Sequence, residues 1–164
     1  MSEPGLNPDF LDILLAFQHE GVDFLIVGGF AMAVHGAPRF TGDIDLWVRA
    51  NAANSDRVMR ALRRFGAPTA VHGVSAADFS APGTIYQMGL PPRRIDVLTT
   101  IDGVTFDEAS PARVEKLLGG ITLPFIGLGH LLRNKRAAGR PKDLLDIELL
   151  RESGATIDDE PNVP

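Results

Sequence analysis

The 164 residues include no cysteine, which excludes disulfides, thiolate-bound zinc and cysteine nucleophiles together and is compatible with a reducing cytosol. Aromatic side chains are scarce, at 7%, with one tryptophan and one tyrosine. Trp47 and Tyr86 are thus the only large polar-tipped rings, and no stacking platform for single-stranded nucleic acid is visible. Positive charge is not in excess. A net charge of −5 argues against a protein that coats nucleic acid by bulk electrostatics and leaves room only for a local basic patch. The longest apolar run, residues 24–34, is about half of what spans a bilayer and contains two glycines. Met1-Ser2-Glu3-Pro4 lacks the basic start and apolar stretch of a secretory signal. The expectation is a soluble cytoplasmic protein without a membrane partner.

What is present reads as a globular α/β chain, 45% hydrophobic and 23% charged. Residues 1–154 are expected to form a single domain, followed by an acidic, proline-containing tail over 155–164 that frays. Asn7-Pro8 caps and opens a helix that Gly21 stops. The run Phe24-Leu25-Ile26-Val27 suits a strand covered on both faces. Gly28-Gly29 then leads into a short helix, and residues 43–48 alternate as a strand. Ser55 is read as the cap of a helix reaching Phe65, and residues 75–79 as a short helix within a loop. Strands over 84–88 and 94–98 are joined by Gly89-Leu90-Pro91-Pro92, and Gly119-Gly120 turns a hairpin between 114–118 and 121–124. Two helices, 128–138 and 142–152, close the fold.

Asp43-Ile44-Asp45-Leu46 carries the most chemistry. Residues two apart on a strand share a face, with Cα atoms roughly 6.5 Å apart. Asp43 and Asp45 can therefore converge on one cation while Ile44 and Leu46 enter the core. Magnesium would relieve their repulsion, because it takes oxygen ligands and keeps room for phosphates. The plainer reading has Asp43 closing the turn at Gly42 and Asp45 facing solvent. Asp96, within the apolar stretch Arg94-Ile95-Asp96-Val97-Leu98, could complete a two-metal clamp from a neighbouring strand. It could equally be an edge-strand acid paired with Arg93 or Arg94. Gly28-Gly29, after a buried strand, lets backbone approach a phosphate, or is simply a tight turn. It matches neither a Walker A loop nor G-x-G-x-x-G.

Together, Val27-Gly28-Gly29-Phe30-Ala31, Arg39-Phe40-Thr41-Gly42-Asp43-Ile44-Asp45-Leu46 and the stretch from Asn134-Lys135-Arg136 to Asp143-Leu144-Leu145-Asp146 resemble the nucleotidyltransferase superfamily. Within it, the chain most resembles small bacterial proteins related to the AbiEii-type toxins. The resemblance implies a palm-like mixed β-sheet flanked by helices with a C-terminal helical pair. It implies Asp43, Asp45 and Asp96 as catalytic acids and Mg²⁺ ligands, with Asp96 also activating an acceptor hydroxyl. Gly28, Gly29, Arg39, Thr41, Lys135 and Asp146 are the implied nucleotide-binding positions. Many active members carry serine where this chain has Gly29, although Gly-Gly occurs in the toxin-like branch.

Arg133, Lys135, Arg136, Arg140 and Lys142 put five cations within ten residues. Leu128, Leu131, Leu132 and Lys135 fall on one helical stripe, so Lys135 continues an apolar face and needs an anion. That anion is a nucleotide phosphate, with Asp146 holding the lysine, or else a protein carboxylate alone; a Lys142–Asp146 pair is also in reach. Arg39 and Thr41 either face the same phosphates or serve the loop. Arg57, Arg60 and Arg64 read as a solvated face, with RNA contact as the lesser reading. His35 reads as a helix-end cap.

The expected activity is Mg²⁺-dependent transfer of a nucleoside monophosphate from a nucleoside triphosphate to a hydroxyl acceptor, RNA or protein, with release of pyrophosphate. The alternative is a catalytically silent member that binds nucleotide or a partner, such as the antitoxin of a toxin–antitoxin pair. A metal-dependent phosphohydrolase on the same acids is a further rival.

Overall fold

The computed structural model describes residues 6–37 and 42–153. Arg39 and Thr41, and the acidic tail over 155–164, lie outside the described residues.

The apolar run Phe24–Val27 forms strand β1, buried at all four positions. A strand with no polar face must be covered on both sides, and β1 lies in the interior of a six-stranded mixed sheet ordered β3-β4-β2-β1-β6-β5. The others are β2 (Ile44–Val48), β3 (Ile85–Met88), β4 (Ile95–Leu98), β5 (Val114–Leu118) and β6 (Ile121–Phe125). β1 runs antiparallel to β2 and parallel to β6, whereas β2 and β4 are parallel. The edge strand β3 alternates exposed and buried residues, as a strand half open to solvent does.

Helices flank the sheet. α1 (Pro8–His19) starts where Asn7 accepts the Asp9 N–H at 2.9 Å and Pro8 presets the first turn. α2 (Gly28–Val34) follows β1 without a linker. α3 (Ala52–Phe65) is capped by Asn51, not by Ser55. The earlier start has a tertiary cause in Asn54, which accepts the Asp23 N–H at 2.8 Å and donates to the carbonyls of Asp23 and Arg49. Those bonds tie the first turn of α3 to the ends of β1 and β2. They leave Ser55 inside the helix, donating to the Ala52 carbonyl at 3.0 Å.

α4 (Ala76–Phe79) and α5 (Phe106–Ala109) are single turns with capping boxes at Ser75/Asp78 and Thr105/Glu108. α6 (Leu128–Ala138) and α7 (Pro141–Glu152) pack on each other at the C-terminal end. His35 closes α2, and its Nε2 lies 2.7 Å from the Ile126 carbonyl, linking the helix to the end of β6. Phe17, Trp47, Phe79 and Phe125 are fully buried in the core.

This topology gathers the acids. Val27 pairs with Asp45, and Asp45 pairs with Asp96. One row across β1, β2 and β4 thus holds two carboxylates, and β1 ends there at Val27, next to Gly28.

Candidate active site

Asp45 occupies the one partly exposed position of β2, between the buried Ile44 and Leu46. Asp96 faces it from the adjacent parallel strand and is itself buried. Asp43 stands one residue before β2 and accepts the backbone N–H of Arg94 at 3.0 Å. The Arg94 guanidinium joins the group. Its Nε donates to Asp96 Oδ1 at 2.9 Å and its Nη2 to Oδ2 at 3.4 Å, while Nη2 stands 3.6 Å from Asp43 Oδ2. Burial, then the charge of Asp96 and a hydrogen bond with it, then the charge of Asp43, push the Asp45 carboxyl up to about 6. Arg94 pulls the other way without cancelling them.

The twin-glycine bend is built onto this cluster. Gly28 has φ +71°, in the region that side chains rarely adopt, and a Cβ there would run into Asp45 Oδ2. Glycine is required at 28 both by backbone conformation and by the closeness of the carboxylate.

The facing wall comes from α6 and α7. Lys135 continues the apolar stripe of α6 and is buried, with Nζ 2.9 Å from Asp146 Oδ2 and 3.5 Å from Asp143 Oδ1. Both aspartates are fully buried. Arg140 closes the network, donating from Nε to Asp143 Oδ2 at 2.7 Å. Burial raises the Asp143 carboxyl, but hydrogen bonds from Arg140 and the charges of Lys135 and Arg140 outweigh it and hold the group below the usual carboxylate value. Asp146 is therefore engaged by Lys135 rather than by Lys142.

Between these walls lies a cleft of about 400 Å³. Gly28, Gly29, Asp43, Asp45, Arg94 and Asp96 line its sheet side, and Asn134, Lys135, Arg140 and Lys142 its helical side. Ile85, Leu98 and Ile101 give it an apolar flank. Of the sequence-derived site residues, Gly28, Gly29, Asp43, Asp45, Asp96 and Lys135 all line this one cleft, and Asp146 stands behind Lys135.

Among the described residues no acidic or imidazole group of three or more stands ready-arranged about one ion, and Arg94 bonds to two of the three acids. The donor chemistry nonetheless fits a hard divalent cation. The ligands on offer are oxygen only, and burial and crowding push the Asp45 carboxyl up to about 6. Asp43, Asp45 and Asp96 are the residues that could hold it. Sequence reasoning gave Arg94 only the part of a pairing partner for Asp96. The signal was present, since Arg94 and Asp96 are two apart and share a strand face.

Residues 9–118 match the family model described as "Nucleotidyl transferase AbiEii toxin, Type IV TA system". The chain belongs to this family. The match to the AbiEii model covers the glycine bend and all three acids and ends at Leu118, so Lys135 and Asp146 lie beyond it. No protein with a curated description matches the sequence. Among solved structures, the lincosamide antibiotic adenylyltransferase LnuA, determined with lincomycin bound, aligns at TM-score 0.53 and 15% identity. The alignment covers 92% of this chain and 99% of that one. An antigenic nucleotidyltransferase-like protein from Paracoccidioides brasiliensis aligns at TM-score 0.49 and 13% identity, over 87% and 74% of the two chains. The LnuA likeness extends the nucleotidyltransferase fold across α6 and α7, which the AbiEii match does not reach. No helix among the described residues is long and apolar enough to cross a membrane.

Proposed function

We propose that this AbiEii-family chain is a Mg²⁺-dependent nucleotidyltransferase that moves a nucleoside monophosphate from a nucleoside triphosphate to a hydroxyl acceptor. One observation carries the reading. Asp45 and Asp96 stand paired on adjacent strands beside the Gly28 bend, and a buried lysine faces them across the cleft. Asp43, Asp45 and Asp96 would hold Mg²⁺, as one ion or two. When bound, the metal supplies positive charge for the triphosphate and its transition state, which nucleotidyl transfer chiefly requires. Lys135, braced by Asp146 and Asp143, offers its remaining donor capacity to a phosphate oxygen. Gly28, whose missing side chain makes room for Asp45, and Gly29 are assigned with Arg39 and Thr41 to the phosphates.

In the reaction, the acceptor oxygen forms a bond to the α-phosphorus and the bond to the bridging oxygen breaks, so pyrophosphate leaves with the electron pair. Asp96 receives the hydroxyl proton. The acceptor is an RNA or protein hydroxyl, the partner is an antitoxin, and the setting is the bacterial cytoplasm. The antitoxin partner rests on the toxin–antitoxin system named in the family description.

The pairing of Arg94 with Asp96 and Asp43 favours a second reading, in which the acids are engaged internally and the chain only binds nucleotide or a partner. Titration of each triphosphate with and without Mg²⁺, followed by labelled transfer, separates the two. Transferase function predicts binding that chelation abolishes, label on the acceptor and pyrophosphate as the second product. Binding without transfer supports the silent reading, and inorganic phosphate in place of pyrophosphate indicates hydrolysis. Asp43→Asn and Asp45→Asn are each expected to abolish metal-dependent binding with the fold intact. Asp96→Ala should cost transfer more than binding.

A further inference from the structure

We infer that Arg94 is a positioning residue that stands in for the divalent cation, partly offsetting the charge of Asp96 and Asp43 until metal and triphosphate arrive together. The inference rests on the metal-binding reading of Asp43, Asp45 and Asp96 and adds to it a competitor within the chain. Arg94 grips the cluster in two separable ways. Its backbone N–H fixes Asp43 Oδ1 at 3.0 Å, and its carbonyl accepts the Ile44 N–H at 3.0 Å, so the main chain sets where β2 and β4 begin together. Its side chain does something different. It spans both oxygens of buried Asp96 and stands 3.6 Å from Asp43, using the lone pairs that a cation bridging the same acids would need.

A metal therefore cannot engage Asp96 fully while the guanidinium remains. The Arg94 side chain is about one-third exposed and lines the cleft, so it can turn outward along the cleft without unfolding β4. There a triphosphate would meet it, because Lys135 faces the same space from α6. The expected behaviour is weak binding of the cation alone and mutual strengthening between cation and nucleotide, since each removes what hinders the other.

The test is Mn²⁺ binding by electron paramagnetic resonance at pH 8, without nucleotide and then with a non-hydrolysable triphosphate, on wild type and Arg94→Gln, with melting curves to confirm folding. A charge-assisted pair is strong enough that removing the competitor should tighten nucleotide-free Mn²⁺ binding roughly tenfold. The strengthening of Mn²⁺ binding by triphosphate should shrink in the variant. Arg94→Lys keeps the charge but cannot fork both Asp96 oxygens. It should fall between the two proteins, and it carries the test with the same sign if Arg94→Gln does not fold. A purely structural role predicts unchanged or weaker Mn²⁺ binding in both variants and overturns the inference. If wild type binds Mn²⁺ with triphosphate in an Asp45-dependent manner yet Arg94→Gln does not bind tighter, this inference alone falls. If neither protein binds Mn²⁺ under any condition, the metal-binding reading fails and takes this one with it.

Discussion

Burial, with the Asp96 carboxylate beside it on the adjacent strand, makes Asp45 a group that folding penalises when charged. Its folded value of about 6 lies above its ordinary value of 3.8, so between these pH values the native chain binds more protons than the unfolded one. Stability of the metal-free protein must fall as pH rises through that window and level off above it. Asp45→Asn removes this slope. Chemical denaturation at pH 4.5 and 7.5 should show the variant gaining on wild type with pH, by roughly 2 kcal/mol. Gly28→Ala works in the opposite sense. It puts a side chain at positive φ and into Asp45, and it should cost at least about 1–2 kcal/mol. Metal-dependent triphosphate binding should be lost with it, measured by melting and titration. At this scale much of the site was legible, because glycine pairs and D-x-D spacing encode local geometry. The reach of Arg94 to Asp43 as well was not. Its neighbours offered several alternative anions, and only the register of β2 on β4 selects among them.

Among the elements, the positions of the six strands and the C-terminal helix pair followed from apolar runs and from glycines at the turns, whereas the order of the strands in the sheet comes from the structure. The N-terminus of α3 did not, because buried Asn54 draws its bonds from Asp23, some thirty residues earlier. α5 went unread although Thr105 and Glu108 carry the capping-box spacing. A single turn has too short an apolar period to stand out. The α6–α7 pair buries Lys135 against two fully buried aspartates. Lys135→Met takes one cation out of this network, in which Arg140 still holds Asp143, and should lose up to about 3–5 kcal/mol. The double variant Lys135→Met/Asp146→Leu should recover most of this loss. If Lys135 meets a phosphate, the recovered protein will still bind triphosphate poorly by calorimetry; a bridge that is only structural would restore binding with the fold.

Over the whole molecule, an acidic chain concentrates its site between the end of a sheet and a helix pair that are distant in sequence. The family match ends at Leu118, but the sheet does not. β6 pairs with both β1 and β5, and Leu131, Leu132, Ile147 and Leu150 of the helix pair are buried in the core. A chain ending at Leu118 should therefore show no cooperative thermal transition by circular dichroism, although it keeps the acids and the glycine bend.

Because strand faces alternate at every residue, sliding β2 by a single position would carry Asp45 through to the opposite side of the sheet and bring an aliphatic neighbour in its place. The acid row is thus inherited with the phase of Ile44 and Leu46. Anyone transplanting this centre into another scaffold would have to graft the hydrophobic beat of the strand first and the aspartates second.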